Sequence, residues 1–196
     1  TLSDRHVREL VASKRRWIRK HLAEWHARHS ARRRREYVNG EGFPYLGKSY
    51  RLLLVPGQQQ PLKLEAGRFR MPADEAGRAV RDPSEMFREF YRRKGREKIP
   101  ARVERYRKSM GIGRVEVRVR DLGARWASCS KRGLNFHWTC MMVPQPVLDY
   151  VVVHELAHVL HPNHQKGFWD QVARIMPEYR TRHAWLKKDG ADLGLS

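Results

Sequence analysis

Eleven consecutive residues carry the chemistry that can be read from this chain: His154, Glu155, Leu156, Ala157, His158, Val159, Leu160, His161, Pro162, Asn163 and His164. Two histidines four positions apart, with a glutamate directly after the first, form the pattern H-E-x-x-H. On an α-helix, positions i and i+4 share one face a turn apart, so His154 and His158 can both point at one metal ion. Glu155 then sits beside them with no need to bind it. Catalytic zinc takes three protein ligands and keeps its fourth position for a water molecule, whose pKa falls to about 7. Glu155 is placed to take that water's proton and pass it to a leaving group. The pattern points to a metal-dependent hydrolase with zinc as its cofactor.

The third ligand has to come from nearby. His164 lies beyond Pro162, which ends the helix, at a place where the chain can turn back beneath the metal. His, Asn and Asp tolerate the left-handed backbone that such a turn uses. His164 is therefore the expected third ligand. His161 stands three residues past His158 at the helix end and is expected as a turn or supporting residue. Glu178, on a later helix, is the minor rival. Val151, Val152, Val153, Leu156, Ala157, Val159 and Leu160 surround the motif, as expected of a helix sunk in a core. Burying two imidazoles and a carboxylate there is costly unless they are paired or bound to metal. Pro144 and Pro146 suit the start of that helix.

The elements that must position these residues come next. At 196 residues and 40% hydrophobic, the chain can form one ordinary core. We expect a single domain over 1–196, with a basic N-terminal helix over 1–36 and a metal-site core over 124–190. Leu10, Trp17, Ile18, Leu22 and Trp25 give the first helix, about Ser3 to Glu36, an apolar stripe. Strand candidates follow at 49–55, 61–65 and 67–71, split by Pro56-Gly57 and Ala66-Gly67, and read as a small antiparallel meander. A helix starts near Asp82-Pro83-Ser84 and runs, with interruptions at Gly95 and Pro100, to about Met110. Val115, Val117 and Val119 alternate in one strand; Leu134, Phe136, Trp138 and Cys140 alternate in another. The site helix and helices at 166–176 and 179–188 complete the chain.

Composition bounds the partners. No run of eighteen apolar residues exists, so nothing is expected to span a membrane. Two cysteines, Cys129 and Cys140, are too few for a disulfide framework and are expected as free thiols, with the cytoplasm as the expected compartment. The formal charge is +20 and the pI near 10.8. Residues 1–36 hold twelve Lys or Arg against four acids, including Arg32 to Arg35, and residues 85–108 hold ten against four. Such charge fits either an anionic partner, nucleic acid among them, or an Arg-rich solvated surface. No base-reading motif or nucleic-acid module is visible.

A wider set of segments carries a family resemblance: Arg125 to Ser130, the strand Gly133 to Trp138, Asp149 to His158, Asn163-His164, Phe168-Trp169 and Met176 to Tyr179. In that order they resemble the YgjP-like metallopeptidases, which are related to SprT-like and Wss1p-like zinc peptidases. The segment Tyr45 to Tyr50 fits more loosely, and Ala127 stands where the family usually has Gly. The resemblance implies an α+β, zincin-like fold with an N-terminal helix, a small antiparallel sheet and then the helix bearing H-E-x-x-H. It implies His154, His158 and His164 as zinc ligands and Glu155 as the base. By analogy with zincins, the strand at 133–140 would lie at a sheet edge and pair with an extended polypeptide substrate. An oxyanion donor is expected from Tyr179, Arg182 or His183. The expected function is zinc-dependent hydrolysis of peptide bonds. A metal hydrolase of a non-peptide bond, and a basic nucleic-acid-associated protein such as a DNA-linked protease, are the rival readings.

Overall fold

Short alternating apolar stretches and four longer periodic ones build two small sheets and four helices within residues 36–195 of the computed structural model. The structure describes residues 4, 8, 9, 12–17, 19, 20, 35–190 and 193. The chain divides into two units, Thr1–Arg35 with Ser196, and Glu36–Leu195. In the first unit the described residues 4, 8, 9, 12–17, 19 and 20 are helical. The apolar stripe expected through Leu10, Ile18, Leu22 and Trp25, and the run Arg32 to Arg34, lie outside the described residues. Among the described residues, no helix is long and apolar enough to cross a membrane.

The second unit is a mixed α+β fold. Its first sheet contains β1 (Gly42–Tyr45), β2 (Lys48–Pro56), β3 (Lys63–Glu65) and β4 (Arg68–Ala73) in the order β1-β2-β4-β3. This differs from the expected antiparallel meander. β1–β2 and β3–β4 are antiparallel pairs, but β2 runs parallel to β4, with Leu52 opposite Phe69. Residues 57–62 carry the chain past the sheet edge, so β3 takes the outer position and β4 returns beside β2. Strand order is a non-local property that turn residues alone do not encode.

Helix α1 (Pro83–Ser109) covers this sheet. Asp82 caps it by accepting from the Ser84 N–H at 3.0 Å, and Pro83 occupies the first turn. Phe87 stacks on Phe43 of β1 with ring centroids 4.1 Å apart, and Phe69 meets Phe87 and Phe90 edge-on. The expected interruptions at Gly95 and Pro100 are absent; the helix is continuous. At Gly95 the reason is a close approach, because a Cβ there would come within 2.9 Å of Val119. At Pro100 the buried neighbours Ile99 and Val103 hold the turn in place, and packing outweighs propensity.

The second sheet comprises β5 (Val117–Arg120), β6 (Ala127–Ser130) and β7 (Gly133–His137), in the order β5-β7-β6. Two expectations change here. The strand expected over 133–140 stops at His137, and Trp138–Met141 form a 3-10 turn. His137 ends the strand by accepting from the Thr139 N–H through Nδ1, while its Nε2 lies 3.2 Å from Asp121. Trp138 and Cys140 are still buried, through the turn rather than by strand alternation. Second, β7 is the central strand, so the open edge belongs to β6.

Helix α2 (Gln145–Leu160) follows, then α3 (Lys166–Ile175) and α4 (Tyr179–Lys188). α2 is apolar around most of its circumference and is buried accordingly. Two contacts fix where it starts. Arg102 of α1 bridges to Asp149 and donates to Gln145 at 2.8 Å. The β1–β2 turn, with Leu46 and Gly47 both at positive φ as two-residue hairpins favour, donates to the carbonyls of Met141 and Met142 at 2.8 and 3.2 Å.

Gly47 lies against α2's first residues, where a Cβ would fall 2.7 Å from the Pro144 Cα. Gly111 has a similar φ but open space around it. Gly111→Ala should therefore lower stability by about 1–2 kcal/mol, the left-handed backbone cost alone. Gly47→Ala should cost about 3 kcal/mol or more, because the overlap adds to it. Thermal unfolding of the two variants compares them, and equal losses would show that the contact with Pro144 does not matter.

Candidate metal centre

α2 presents Tyr150, His154 and His158 at four-residue intervals along one face, with Glu155 next to them. Pro162 stops the helix after Leu160. The chain reverses through Asn163, whose carbonyl accepts from the Gln165 N–H at 2.8 Å, and α3 begins at Lys166. That short reversal swings His164 back over α2. One ring atom from each of His154, His158 and His164 lies within 4.8 Å of the other two, and Nε2 of His164 is 3.0 Å from Nε2 of His154. Among the described residues this is the one such cluster of metal-binding side chains.

The outer nitrogens of two of these rings are held from behind. His158 Nδ1–H donates to the carbonyl oxygen of His161 at 3.2 Å, and His154 Nδ1 lies 3.3 Å from the Tyr150 hydroxyl. The carbonyl partner puts the His158 proton on Nδ1 and leaves its Nε2 lone pair free, and the Tyr150 hydroxyl can accept from His154 Nδ1–H in the same way. Phe168 of α3 is fully buried beneath all three rings, with centroids 4.9, 4.6 and 4.6 Å from those of His154, His158 and His164. Trp169 stacks against His164 at 5.7 Å and against Tyr179 at 5.4 Å. An aromatic floor thus supports an imidazole cluster.

Electrostatics suit metal binding, which needs neutral imidazoles. Burial, helped by the neighbouring His158, His164 and His183, pushes His154 down to about 3. Burial also lowers His158, against the opposing bond to His161. Glu155 is pushed up to about 7 by burial alone. Its carboxylate has no hydrogen-bond or ion-pair partner among the described residues.

His161 and Glu178 stand apart from the cluster. His161 contributes its carbonyl, and its ring packs toward Gly167. Glu178 sits at the start of α4, paired with Arg182 at 2.6 Å. Of the three expected oxyanion donors, Arg182 is engaged by Glu178 and Tyr179 is turned onto Trp169. His183 faces a cavity shared with Glu155. Tyr150 and Phe168 were given no role by sequence reasoning. Tyr150 stands four residues before His154, the spacing that marks it; Phe168 is marked only through the resemblance, as part of Phe168-Trp169.

Two hollows meet at Glu155. The larger, about 910 Å³, runs along β6 to the hairpin at Lys131-Arg132. The smaller, about 330 Å³, is walled by Trp126, Tyr150, His183 and Leu186. His154, Glu155, Arg125 and Ala127 border both. The Trp126 carbonyl accepts from the His137 N–H at 2.8 Å, so 126 and 137 are a hydrogen-bonded pair of the β6–β7 ladder. By alternation Ser128 and Ser130 also face β7, which leaves the backbone groups of Ala127 and Cys129 on the open edge. Both cysteines are free, Cys140 buried and Cys129 partly so.

Among solved structures, a metallopeptidase zymogen from Pyrococcus abyssi, abylysin, is similar, with 22% identity and a TM-score of 0.42 over 45% of this chain and 93% of that one. No curated protein matches the chain. The family model described as YgjP-like, metallopeptidase domain, matches residues 1–189. The chain therefore belongs to the YgjP-like family and is a metallopeptidase.

Proposed function

We propose that this metallopeptidase is zincin-like and zinc-dependent, with His154, His158 and His164 as metal ligands and Glu155 as general base. The observation that carries the reading is the approach of three imidazoles to within 4.8 Å beside a buried, unpartnered carboxylate. The donor set fits the ion. Nitrogen ligands 2.0–2.1 Å from a tetrahedral zinc are about 3.3 Å from one another, within the range these rings span. Bound there, zinc supplies a Lewis acid for the substrate carbonyl and lowers the pKa of water to about 7.

The chain's own groups do the rest. The open edge of β6 holds an extended polypeptide through the backbone of Ala127 and Cys129. Glu155 takes the proton of the attacking water and returns it to the departing amine nitrogen. His183, facing the same point, donates a hydrogen bond to the carbonyl oxygen as charge develops on it. Phe168, Tyr150 and the His161 carbonyl keep the rings from turning, which preserves the geometry between substrate and base.

Two measurements test these roles. Glu155→Gln should retain about one zinc per chain, read by elemental analysis, and lose about 10²–10⁴-fold in peptide hydrolysis. His158→Ala should lose both metal and activity. Undiminished cleavage by Glu155→Gln would remove Glu155 as the base. His183→Phe keeps the ring packing, and should keep zinc content and unfolding temperature while kcat falls about 10²–10³-fold. An unchanged kcat would return the oxyanion role to another group.

A further inference from the structure

We infer that the larger arm of the cleft recognises acidic side chains, so that this enzyme cleaves polypeptides next to Asp- or Glu-bearing positions. The inference rests on the peptidase reading above and names its substrate class.

Arg114, Arg125, Lys131 and Arg132 all line this arm. None of the four side chains has an acidic partner among the described residues. Two carboxylates share the cavity: Glu116 is taken up by Arg118, and Glu155 sits on the floor beside the imidazoles. The contrast with α1 is sharp. There Arg88 and Arg92 meet Glu85, Lys94 meets Glu97, and Arg107 and Lys108 meet Glu104. Five of the helix's ten cations are met by its own carboxylates and Arg102 by Asp149, whereas none of the four in the cleft has an acid beside it among the described residues.

Their placement follows from the sheet. Ser130 pairs with Gly133, so Lys131 and Arg132 form a two-residue hairpin turn at the far end of β6. Arg114 approaches the same end, because the following segment bonds the hairpin through the Leu134 N–H and the Glu116 carbonyl at 2.8 Å. Ala127, at the other end of β6, borders the Glu155 site. A substrate strand rises about 3.3 Å per residue, so a side chain two or three residues from the scissile bond reaches the cation group. The smaller arm has Trp126, Tyr150, Val151 and Leu186, with Lys187 as its own cation beside the shared Arg125. The cleft is therefore more basic toward the β6 hairpin, where Arg114, Lys131 and Arg132 add to the shared Arg125, and more apolar in the smaller arm. Nucleic acid binding uses phosphate contacts spread along a strand. These cations instead converge on a hollow that ends at the catalytic carboxylate, which suits one extended chain bearing carboxylates.

The test uses the full chain carrying Glu155→Gln and loaded with zinc. Fluorescence anisotropy at low salt follows labelled peptides that share a neutral core and carry Glu, Ser or Lys two and three residues from its centre, on either side. The Glu peptide with one of the two placements should bind roughly tenfold more tightly than the Ser peptide, with Lys weakest, and added salt should narrow the gap. Lys131→Glu with Arg132→Glu should abolish the preference, and so should Arg114→Glu from its separate segment. In the parent chain kcat/KM should follow the same order. Equal binding of all peptides, or a preference that survives both charge reversals, overturns the inference. So does a single-stranded oligonucleotide of equal length that outcompetes the Glu peptide and loses its hold with the same reversals. The underlying reading fails separately. Selective binding by Glu155→Gln with no hydrolysis by the parent removes the peptidase chemistry but keeps the recognition. Equal hydrolysis of all peptides does the reverse.

Discussion

An ionisable side chain removed from water must be compensated, and α2 takes His154, Glu155 and His158 into a helix that is otherwise apolar. The architecture around them answers that demand. Burial keeps His154 and His158 neutral, their Nδ1 atoms have oxygen partners, and one ring atom of each lies within 4.8 Å of the His164 ring. Repulsion among three inward lone pairs is tolerable only with a proton or a metal between them. Phe168 provides the floor, the Pro162 turn delivers the third ring, and β6 sets the wall opposite. Each of these elements is where it is because α2 is buried at that depth.

The depth of α2 is itself set by distant parts of the chain. The β1–β2 turn bonds to residues 141 and 142, and Arg102 of α1 clamps the first turn of α2 through Asp149 and Gln145. The first sheet carries no catalytic side chain. It nevertheless determines the start of the helix, and hence the rotation at which His154 meets His164. The first sheet is joined by these backbone hydrogen bonds to the segment that leads into α2.

What was legible in the sequence was local. The spacing of His154, Glu155 and His158, the proline on either side of α2 and the Asp82-Pro83 cap each depend on a few neighbouring residues, and the boundaries they imply agree with the structure. The approach of the His164 ring to the other two was legible because Pro162 forces a reversal within reach of the helix. Strand order was not. Whether β6 or β7 lies at the sheet edge depends on where β5 adds, and β5 pairs in parallel across a connection of a dozen residues. Alternation at 134, 136, 138 and 140 signalled burial correctly but not geometry, since a strand followed by a 3-10 turn can bury the same side chains. Gly95 and Pro100 misled for the opposite reason: their intrinsic preferences are real, yet the close approach of α1 to Val119 and the burial of its own Ile99 and Val103 are stronger. The net charge was legible as a total; its division between paired and unpaired cations was not.

The bond from His158 to His161 has a consequence for how the family can drift. Position 161 supplies a main-chain oxygen, which any amino acid possesses, so its side chain is not what orients the second ring. What the bond requires there is the path of the backbone out of α2 and not a particular side chain. Distant relatives can therefore vary at that site while preserving the trio of rings.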